Sequence, residues 1–567
     1  MNEEHFKIEK TKDNYDIVKI KKDNKWIYIG SKYNMQRELD MFMNQVEEDS
    51  IYIIFGFASG EHIKKIRERY KDAIIKIFEP NEHIFKYAET LKFIKNDSNI
   101  LIEKCNENDI LNSYKYNLSF IDEFDINRIK IISFSNYNKI YDKEYRYILK
   151  QINDEVIHLM INRNTKIGFS KNWFTTFNEN LPYMTKSVLF DNYKDKYKNK
   201  PAIIVSAGPS LDKNVDLLKG IEDEFFIITG GRPLSGLIEK NIIPALAIVV
   251  DPGDVNYTMM KNVMENTNVP LLFSELSNEK VVSNYNGYKI FSTYSEFIEE
   301  SLNKDNTRLM TYGSVAHNSV SAAILLGCNP IIFIGQDFAY TNDAAHSLEL
   351  ENKYKSNTFE MLKSDNDLYV EDVNNDIVRT SRLLNMYRIG MEKIIADNPE
   401  TLFINATEGG ARILGTMEMT LQDAIKKYKG NNVEKIKCLE PEKTFRINVI
   451  DNLKNSIEEL NKIKVKCEIA VQNIDKLKLE YNPIELNNLI KYLDEIDYDI
   501  KKQFIIKYLV YPIIYNAIEE SGINKEKDYK LREKCILDMN ERLYKNLNIT
   551  IEESIKILKN TLRKIKN

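Results

Sequence analysis

The hydrophobic and polar positions follow three successive patterns. The first runs to about residue 200 and mixes short apolar runs with helical spacing. Ile51-Tyr-Ile-Ile-Phe55 reads as a strand entering Gly56-Phe-Ala-Ser-Gly60, then comes a helix over about 61–70. Ala73-Ile-Ile-Lys-Ile-Phe78 reads as a second strand, ending at Glu79-Pro80. Strand, glycine turn, helix, strand and acid outline a nucleotide-binding βαβ unit. Gly56 and Gly60 fall short of G-x-G-x-x-G, so two readings stay open. One is a Rossmann-like scaffold with an empty pocket. The other is a nucleotide or methyl-donor cofactor on the glycines, with Glu79 on a ribose. The spacing over 153–180, around Trp173, predicts a linking helix, and the charged run 193–200 a solvated boundary.

From Pro201 the pattern changes to continuous apolar runs: Ala202-Ile-Ile-Val-Ser206, Phe225-Phe-Ile-Ile-Thr229, Ala245-Leu-Ala-Ile-Val-Val250, Pro270-Leu-Leu-Phe273, Pro330-Ile-Ile-Phe-Ile334 and Thr401-Leu-Phe-Ile-Asn405. Helical stretches at 212–218, 314–326 and 381–395 lie between them. Such alternation predicts a parallel sheet covered on both faces. Beyond about 430 the strand signals stop. Ile450, Leu453, Ile457 and Leu460 repeat at helical spacing, and further helical patterns run through 484–520, 526–545 and 550–565. The stripe is either bundle core or a docking surface for a helical partner. The expected fold is therefore α/β multidomain: a Rossmann-like N-terminal domain with its linker over 1–200, a central parallel α/β domain over 201–430 and a C-terminal helical bundle over 431–567.

Composition removes several function classes. With 80 Lys+Arg against 85 Asp+Glu in 567 residues, the net charge is −5, unlike the basic footprint of a nucleic-acid-coating protein. No stretch approaches the ~20 apolar residues of a membrane span. The polar start Met1-Asn-Glu-Glu-His-Phe is unlike a signal peptide, so a cytoplasmic protein is expected. The five cysteines form no C-x-x-C pair and the six histidines no H-x-x-x-H spacing, which argues against a disulfide framework or a zinc site.

Open parallel sheets bind ligands outside the carboxyl ends of their strands, so the chemistry is sought there. After the first central strand comes Ser206-Ala-Gly-Pro-Ser-Leu211. Gly208 allows close backbone approach, Pro209 presets a helix start, Ser210 is a candidate cap for a helix from about 212, and that helix's N–H groups would attract phosphate. Thr229-Gly230-Gly231-Arg232 follows the second strand, with Arg232 able to face a phosphate or carboxylate. Asp251-Pro-Gly-Asp254 follows the third and reads as a ribose contact, a metal site, or an N-cap and turn. Tyr312-Gly-Ser314-Val-Ala-His317 precedes a helix. Gly335-Gln336-Asp337-Phe-Ala-Tyr340-Thr341 with His346 gathers a polar site. Asn405-Ala-Thr407-Glu408-Gly-Gly-Ala-Arg412 follows the last strand and adds Thr407 and Glu408 as candidate contacts. No nucleophile elbow is present.

The clusters at Ser206–Leu211, Gly335–Thr341 with His346, and Asn405–Arg412 resemble the motility-associated factor (Maf) flagellin glycosyltransferases. That family is similar in fold to bacterial sialyltransferases, whose Gly-Pro-Ser loop meets a cytidine nucleotide. The resemblance implies a sialyltransferase-like central domain that moves a nonulosonic acid, such as pseudaminic or legionaminic acid, from a CMP-activated donor to Ser or Thr of flagellin. It also implies a role in flagellum assembly and motility. On this reading Tyr312 and Tyr340 hydrogen-bond the leaving phosphate, and His346 is the base with Asp337 as alternative. His317 is read as a structural residue. The sialyltransferases place their base His further along, just before the helix leading to the last strand, and this sequence has none there. They work without a metal, so no cofactor or divalent metal is expected. The tail helices suit contact with flagellin or pairing into a homo-oligomer. The central module also resembles archaeal pterin diphosphokinases, so two alternatives stand: a nucleotide-dependent diphosphokinase of a pterin-like heterocycle, and a non-catalytic flagellin-binding chaperone.

Overall fold

A computed structural model describes residues 5–108, 116–341, 344, 346–347, 367–521 and 529–567. The chain divides into two compact units, residues 1–168 and 169–567.

The first unit opens with an antiparallel meander of β1 (Phe6–Lys10), β2 (Asp16–Lys22) and β3 (Lys25–Ile29). Asp23 and Asn24, at the tip of the β2–β3 hairpin, both take positive φ (50° and 59°), as a two-residue type I′ turn requires. A parallel sheet follows in the order β6-β5-β4-β7, built from β4 (Ile51–Phe55), β5 (Ile74–Glu79), β6 (Ile100–Lys104) and β7 (Ile129–Ser133). The expected βαβ unit is β4, the helix Glu61–Arg69 and β5, and all five residues of β4 are buried. The meander, β6 and β7 lie outside the expected strands. They are short and mix apolar with charged residues, and only the partner strand decides such pairing.

The second unit is built on nine parallel strands in the order β18-β17-β14-β9-β10-β11-β12-β13-β8. They are β8 (Val188–Leu189), β9 (Ala202–Val205), β10 (Phe226–Gly230), β11 (Leu246–Val249), β12 (Leu271–Phe273), β13 (Lys289–Phe291), β14 (Ile331–Ile334), β17 (Phe403–Asn405) and β18 (Met417–Glu418), with β15 (Leu368–Glu371) and β16 (Ile377–Thr380) forming a separate hairpin. All six expected central strands are present. The two- and three-residue strands β8, β13 and β18 carry too little pattern to read. From β9 the chain winds through β10 to β13, then returns to place β14 on the other side of β9. The strand order therefore reverses between β9 and β14, the switch point at which such sheets open a crevice.

The division between the two units falls at 168/169, inside the helix Asp142–Met184. The expected helical tail is present as Lys443–Leu479, Pro483–Lys501, Lys507–Ser521 and Tyr529–Lys566. It shares its core with the sheet. Val249, Leu271, Phe273 and Phe291 of β11–β13 pack in one apolar cluster with Phe445, Val449, Leu453 and Ile565. The opposite face of those strands, with Ile248, Leu272 and Ile290, packs in another. A parallel strand must be covered on both faces, and the tail helices join Leu234, Met260 and Val281 of the crossover helices in one of the covers. No described helix is long and apolar enough to cross a membrane.

Leu460 is fully buried in that shared cluster. Leu460→Ala is expected to cost about 2–5 kcal/mol. Urea unfolding followed by Trp173 fluorescence, in a Trp26→Phe background, should shift by that amount if tail and sheet unfold together.

Candidate functional site

A cavity of about 400 Å³ opens at the carboxyl ends of β9, β10, β11 and β14. It gathers residues far apart in sequence. Ser206 and Gly208 come from the β9 end, Gly230, Gly231 and Arg232 from the β10 end, and Asp251 from the β11 end. Ser314 comes from the start of the helix Val315–Leu325, and Gly335, Gln336 and Asp337 from the β14 end, joined by His346.

The loops after β9 and β14 are knotted together by a buried carboxylate. Asp337 is 2% exposed and accepts from the Ser210 hydroxyl (2.6 Å), the Ser210 N–H (3.2 Å) and the Thr341 hydroxyl (2.6 Å). Burial raises its pKa, and the donors from Ser210 and Thr341 oppose that rise. The Gly208 N–H donates to the Gly335 carbonyl (2.8 Å) and the Ser206 hydroxyl to Gln336 Oε1 (2.6 Å). Gly208 is required by this approach, because a Cβ there would lie 2.1 Å from Asp337 Oδ1.

These contacts change several expected roles. Ser210 is no helix cap. Residues 209–213 form a short 3₁₀ turn, and both polar groups of Ser210 serve Asp337. The phosphate-attracting helix start is not there either. The nine-residue helix Gly231–Glu239 begins on the cavity wall, with no side chain capping its N-cap residue Gly230. The helix Val315–Leu325 begins there too, with the Ser314 hydroxyl accepting from Ala316 N–H (3.4 Å). Two helix N-termini and Arg232 thus make one wall attractive to anions.

Other expected contacts lie behind the lining. Pro209 occupies the first position of the 3₁₀ turn. The Thr229 hydroxyl is buried against the carbonyls of Val205 and Gly230. Thr407 Oγ1 accepts from the Gln336 N–H (3.2 Å), and the Glu408 carbonyl from Lys213 Nζ (2.6 Å), so both brace the loops. Tyr340 is buried with its ring beneath the Arg379 guanidinium (4.4 Å). Tyr312 packs edge-on against His317 with Lys393 over its ring. Neither tyrosine lines the cavity, so the structure does not bring them to a phosphate seated there. His317, buried, donates from Nε2 to the Tyr387 carbonyl (2.8 Å), and burial holds its pKa below the usual histidine value. It is the structural residue expected.

His346 does reach the cavity. The next residue, Ser347, donates its N–H to the Ala207 carbonyl (2.9 Å) and its hydroxyl to Asp212, which ties this segment to the β9 loop. The carboxylates of Asp251-Pro-Gly-Asp254 part company. Asp254 pairs with Lys280 (2.9 Å) and accepts from the Asn278 amide (3.2 Å), whereas Asp251 stands on the cavity wall. Among the described residues no group of three or more metal-ligating side chains gathers. The sequence reading missed Asn256, Ser319 and Tyr387 on the wall. They sit inside helices, where nothing in the local pattern separates them from ordinary helix positions.

The βαβ turn of the first unit is filled by its own chain. Glu79 is fully buried and accepts from the N–H of Phe57 (2.8 Å) and Asn81 (2.7 Å) and from the Tyr137 hydroxyl (2.8 Å). The Ala58 N–H donates to that same hydroxyl (2.9 Å). Gly56, at φ +98°, lies so close that a Cβ would be 2.2 Å from the Tyr137 ring. The N–H groups of Phe57 and Ala58 in the turn are taken, and the Glu79 carboxylate is turned into the protein. This favours the scaffold reading.

Comparison with known proteins agrees with this architecture. The family model described as "6-hydroxymethylpterin diphosphokinase MptE-like" matches residues 175–343. No curated protein matches the chain. Among solved structures, the chain is similar to the Maf glycosyltransferase from Magnetospirillum magneticum AMB-1, with a TM-score of 0.60 and 13% identity over 98% of this chain and 93% of that one. The chain therefore has the fold of a Maf glycosyltransferase, and the resemblance read from its strand-end clusters is borne out at the level of fold.

Gly208→Ala is expected to force the clasp apart, at about 1–3 kcal/mol of stability, and to abolish ligand binding in the cavity, measurable by thermal unfolding and by calorimetric titration. A second prediction concerns Glu275 at the end of β12, which sequence reasoning passed over. It is fully buried. Its Oε1 accepts from the Tyr294 N–H (3.0 Å), its Oε2 has no partner among the described residues, and burial pushes its pKa from 4.5 up to about 7. The folded state thus holds this proton more tightly than the unfolded state. The stability it contributes is full below about pH 4.5 and is lost as the pH rises towards 7, on the order of 2–3 kcal/mol in all. Denaturant unfolding across this range should show that slope, and Glu275→Gln should flatten it.

Proposed function

We propose that this protein is a glycosyltransferase that moves a nonulosonic acid, such as pseudaminic or legionaminic acid, from a CMP-activated donor to Ser or Thr of flagellin during flagellum assembly. The observation that carries the reading is the switch-point cavity, in a chain that matches the fold of a Maf glycosyltransferase along nearly its whole length. A CMP-activated nonulosonic acid presents one phosphate and one sugar carboxylate. Arg232 and the N-termini of Gly231–Glu239 and Val315–Leu325 offer positive potential for both anions. As the glycosidic bond breaks, positive charge grows on the sugar and negative charge on the leaving phosphate, which the same wall stabilises. Ser206, Gly208, Gly335 and Gln336 support the nucleotide. Asp251 and His346 are wall groups able to take the acceptor's proton. Arg232 and the helix ends offset the phosphate charge, so the reaction calls for no divalent metal.

The family match over 175–343 favours a second reading, transfer of a diphosphate from ATP to a small heterocycle. That chemistry calls for Mg²⁺ held by several carboxylates, and Asp254 is already paired with Lys280. Calorimetric titration separates the two: CMP is expected to bind without metal, and ATP with Mg²⁺ to bind weakly or not at all. In cells, flagellin from a strain lacking the gene should lose the mass of the sugar and regain it on complementation. Equal flagellin masses in both strains would falsify the transferase reading.

A further inference from the structure

The open side of the cavity carries a carboxylate with no protein partner among the described residues. The Asp251 main chain is held firmly, its carbonyl accepting from the Asn278 N–H (3.0 Å) and the Asn256 amide (3.3 Å). Its side chain makes no hydrogen bond or ion pair among the described residues. Asp254, three residues on, shows that partners are at hand in this loop, since it takes both Lys280 and Asn278. Asp251 is exposed at the rim beside exposed Gly253 and Val255, whereas Gly335 and Gln336 behind it are buried. The surrounding protein nevertheless pushes its carboxyl above the ordinary aspartate value, and its charge bears on the nearby Tyr387 phenol.

On the transferase reading the donor takes the interior of this cavity of about 400 Å³, and an acceptor hydroxyl carried on a protein enters from the rim. The base must therefore stand at the rim with a lone pair to spare. The other charged or titratable side chains on the wall fit this less well. Arg232 has no lone pair to offer. Asp337 is engaged by Ser210 and Thr341. Burial raises the pKa of Tyr387, which keeps its phenol protonated. His346 is half-buried on the segment tied to the β9 loop.

We propose that Asp251 is the general base that takes the proton from the acceptor hydroxyl, an assignment that rests on the transferase reading. The hydroxyl oxygen bonds to the anomeric carbon of the sugar. The bond from that carbon to the phosphate oxygen breaks, CMP leaves with the bonding pair, and the hydroxyl proton ends on the Asp251 carboxylate. The base works only when ionised, so the rate falls as the pH drops through a value above that of an ordinary aspartate.

The test uses the full chain, CMP as binding probe, and CMP release from whichever of CMP-pseudaminic and CMP-legionaminic acid the wild type consumes with flagellin. Asp251→Asn should keep CMP affinity, lose roughly 10²–10⁴-fold in kcat, and lose the acid limb of the kcat/KM profile. Asp251→Glu should restore part of the rate, and His346→Asn should keep the acid limb. An Asp251→Asn enzyme with unchanged kcat overturns the assignment. So does one whose whole loss lies in CMP affinity, or an acid limb that disappears with His346 instead. A wild type that neither binds nor releases CMP overturns the transferase reading itself.

Discussion

One buried carboxylate organises the candidate site. Asp337 sits where the order of parallel strands reverses, and its two oxygens hold Ser210 from the β9 loop and Thr341 from its own. The Ala411 N–H, from the loop after β17, donates to its carbonyl (2.7 Å). Three strand ends are thereby fixed to one residue. A carboxylate taken out of water is costly unless its oxygens are satisfied. The hydroxyls of Ser210 and Thr341 meet that need, and in doing so they hold the crevice open at a set width. Gly208 follows from this closeness, since it has room for no side chain beside Asp337.

The tail helices and the sheet answer a second constraint. Strands β11 to β13 are apolar on both faces, and both faces need a cover. On one of them Phe445, Val449 and Leu453 join Leu234, Met260 and Val281 of the crossover helices. The C-terminal helices are thus part of the body that carries the cavity. The apolar stripe at 450–460 belongs to the same cluster, in which Lys443–Leu479 packs mainly along Tyr529–Lys566 as a bundle does, and a docking role would have to use the exposed residues of the same helices.

Charge is placed locally. A net charge of −5 gives the chain no general attraction for anions. The cavity gains its own from Arg232 and from two helices that begin on its wall. Asp251, at the rim of the same cavity, has no side-chain partner among the described residues, whereas Asp254, three residues on, pairs with Lys280. Two acids that look alike in a four-residue turn end in opposite roles because only one of them meets a lysine.

The sequence by itself determined the alternation of strands and helices in the central region, the helical tail, and the strand ends where the site would lie. Those features depend on residues near in the chain, through apolar periodicity and turn chemistry. Tertiary structure alone decided which members of each cluster face the cavity. Ser210 is next to Pro209 in sequence, yet its partner Asp337 is 127 residues away, and that distant contact turns a helix cap into a clasp. Tyr340 and Tyr312 carry the right groups for a phosphate but are claimed by Arg379 and by His317 and Lys393. Glu79 has the place of a ribose-binding acid, and Tyr137, 58 residues on, fills the space a ligand would take. The edge strands were illegible for the same reason. Two or three residues show no period of their own, and they become strands only when a neighbour supplies the hydrogen bonds.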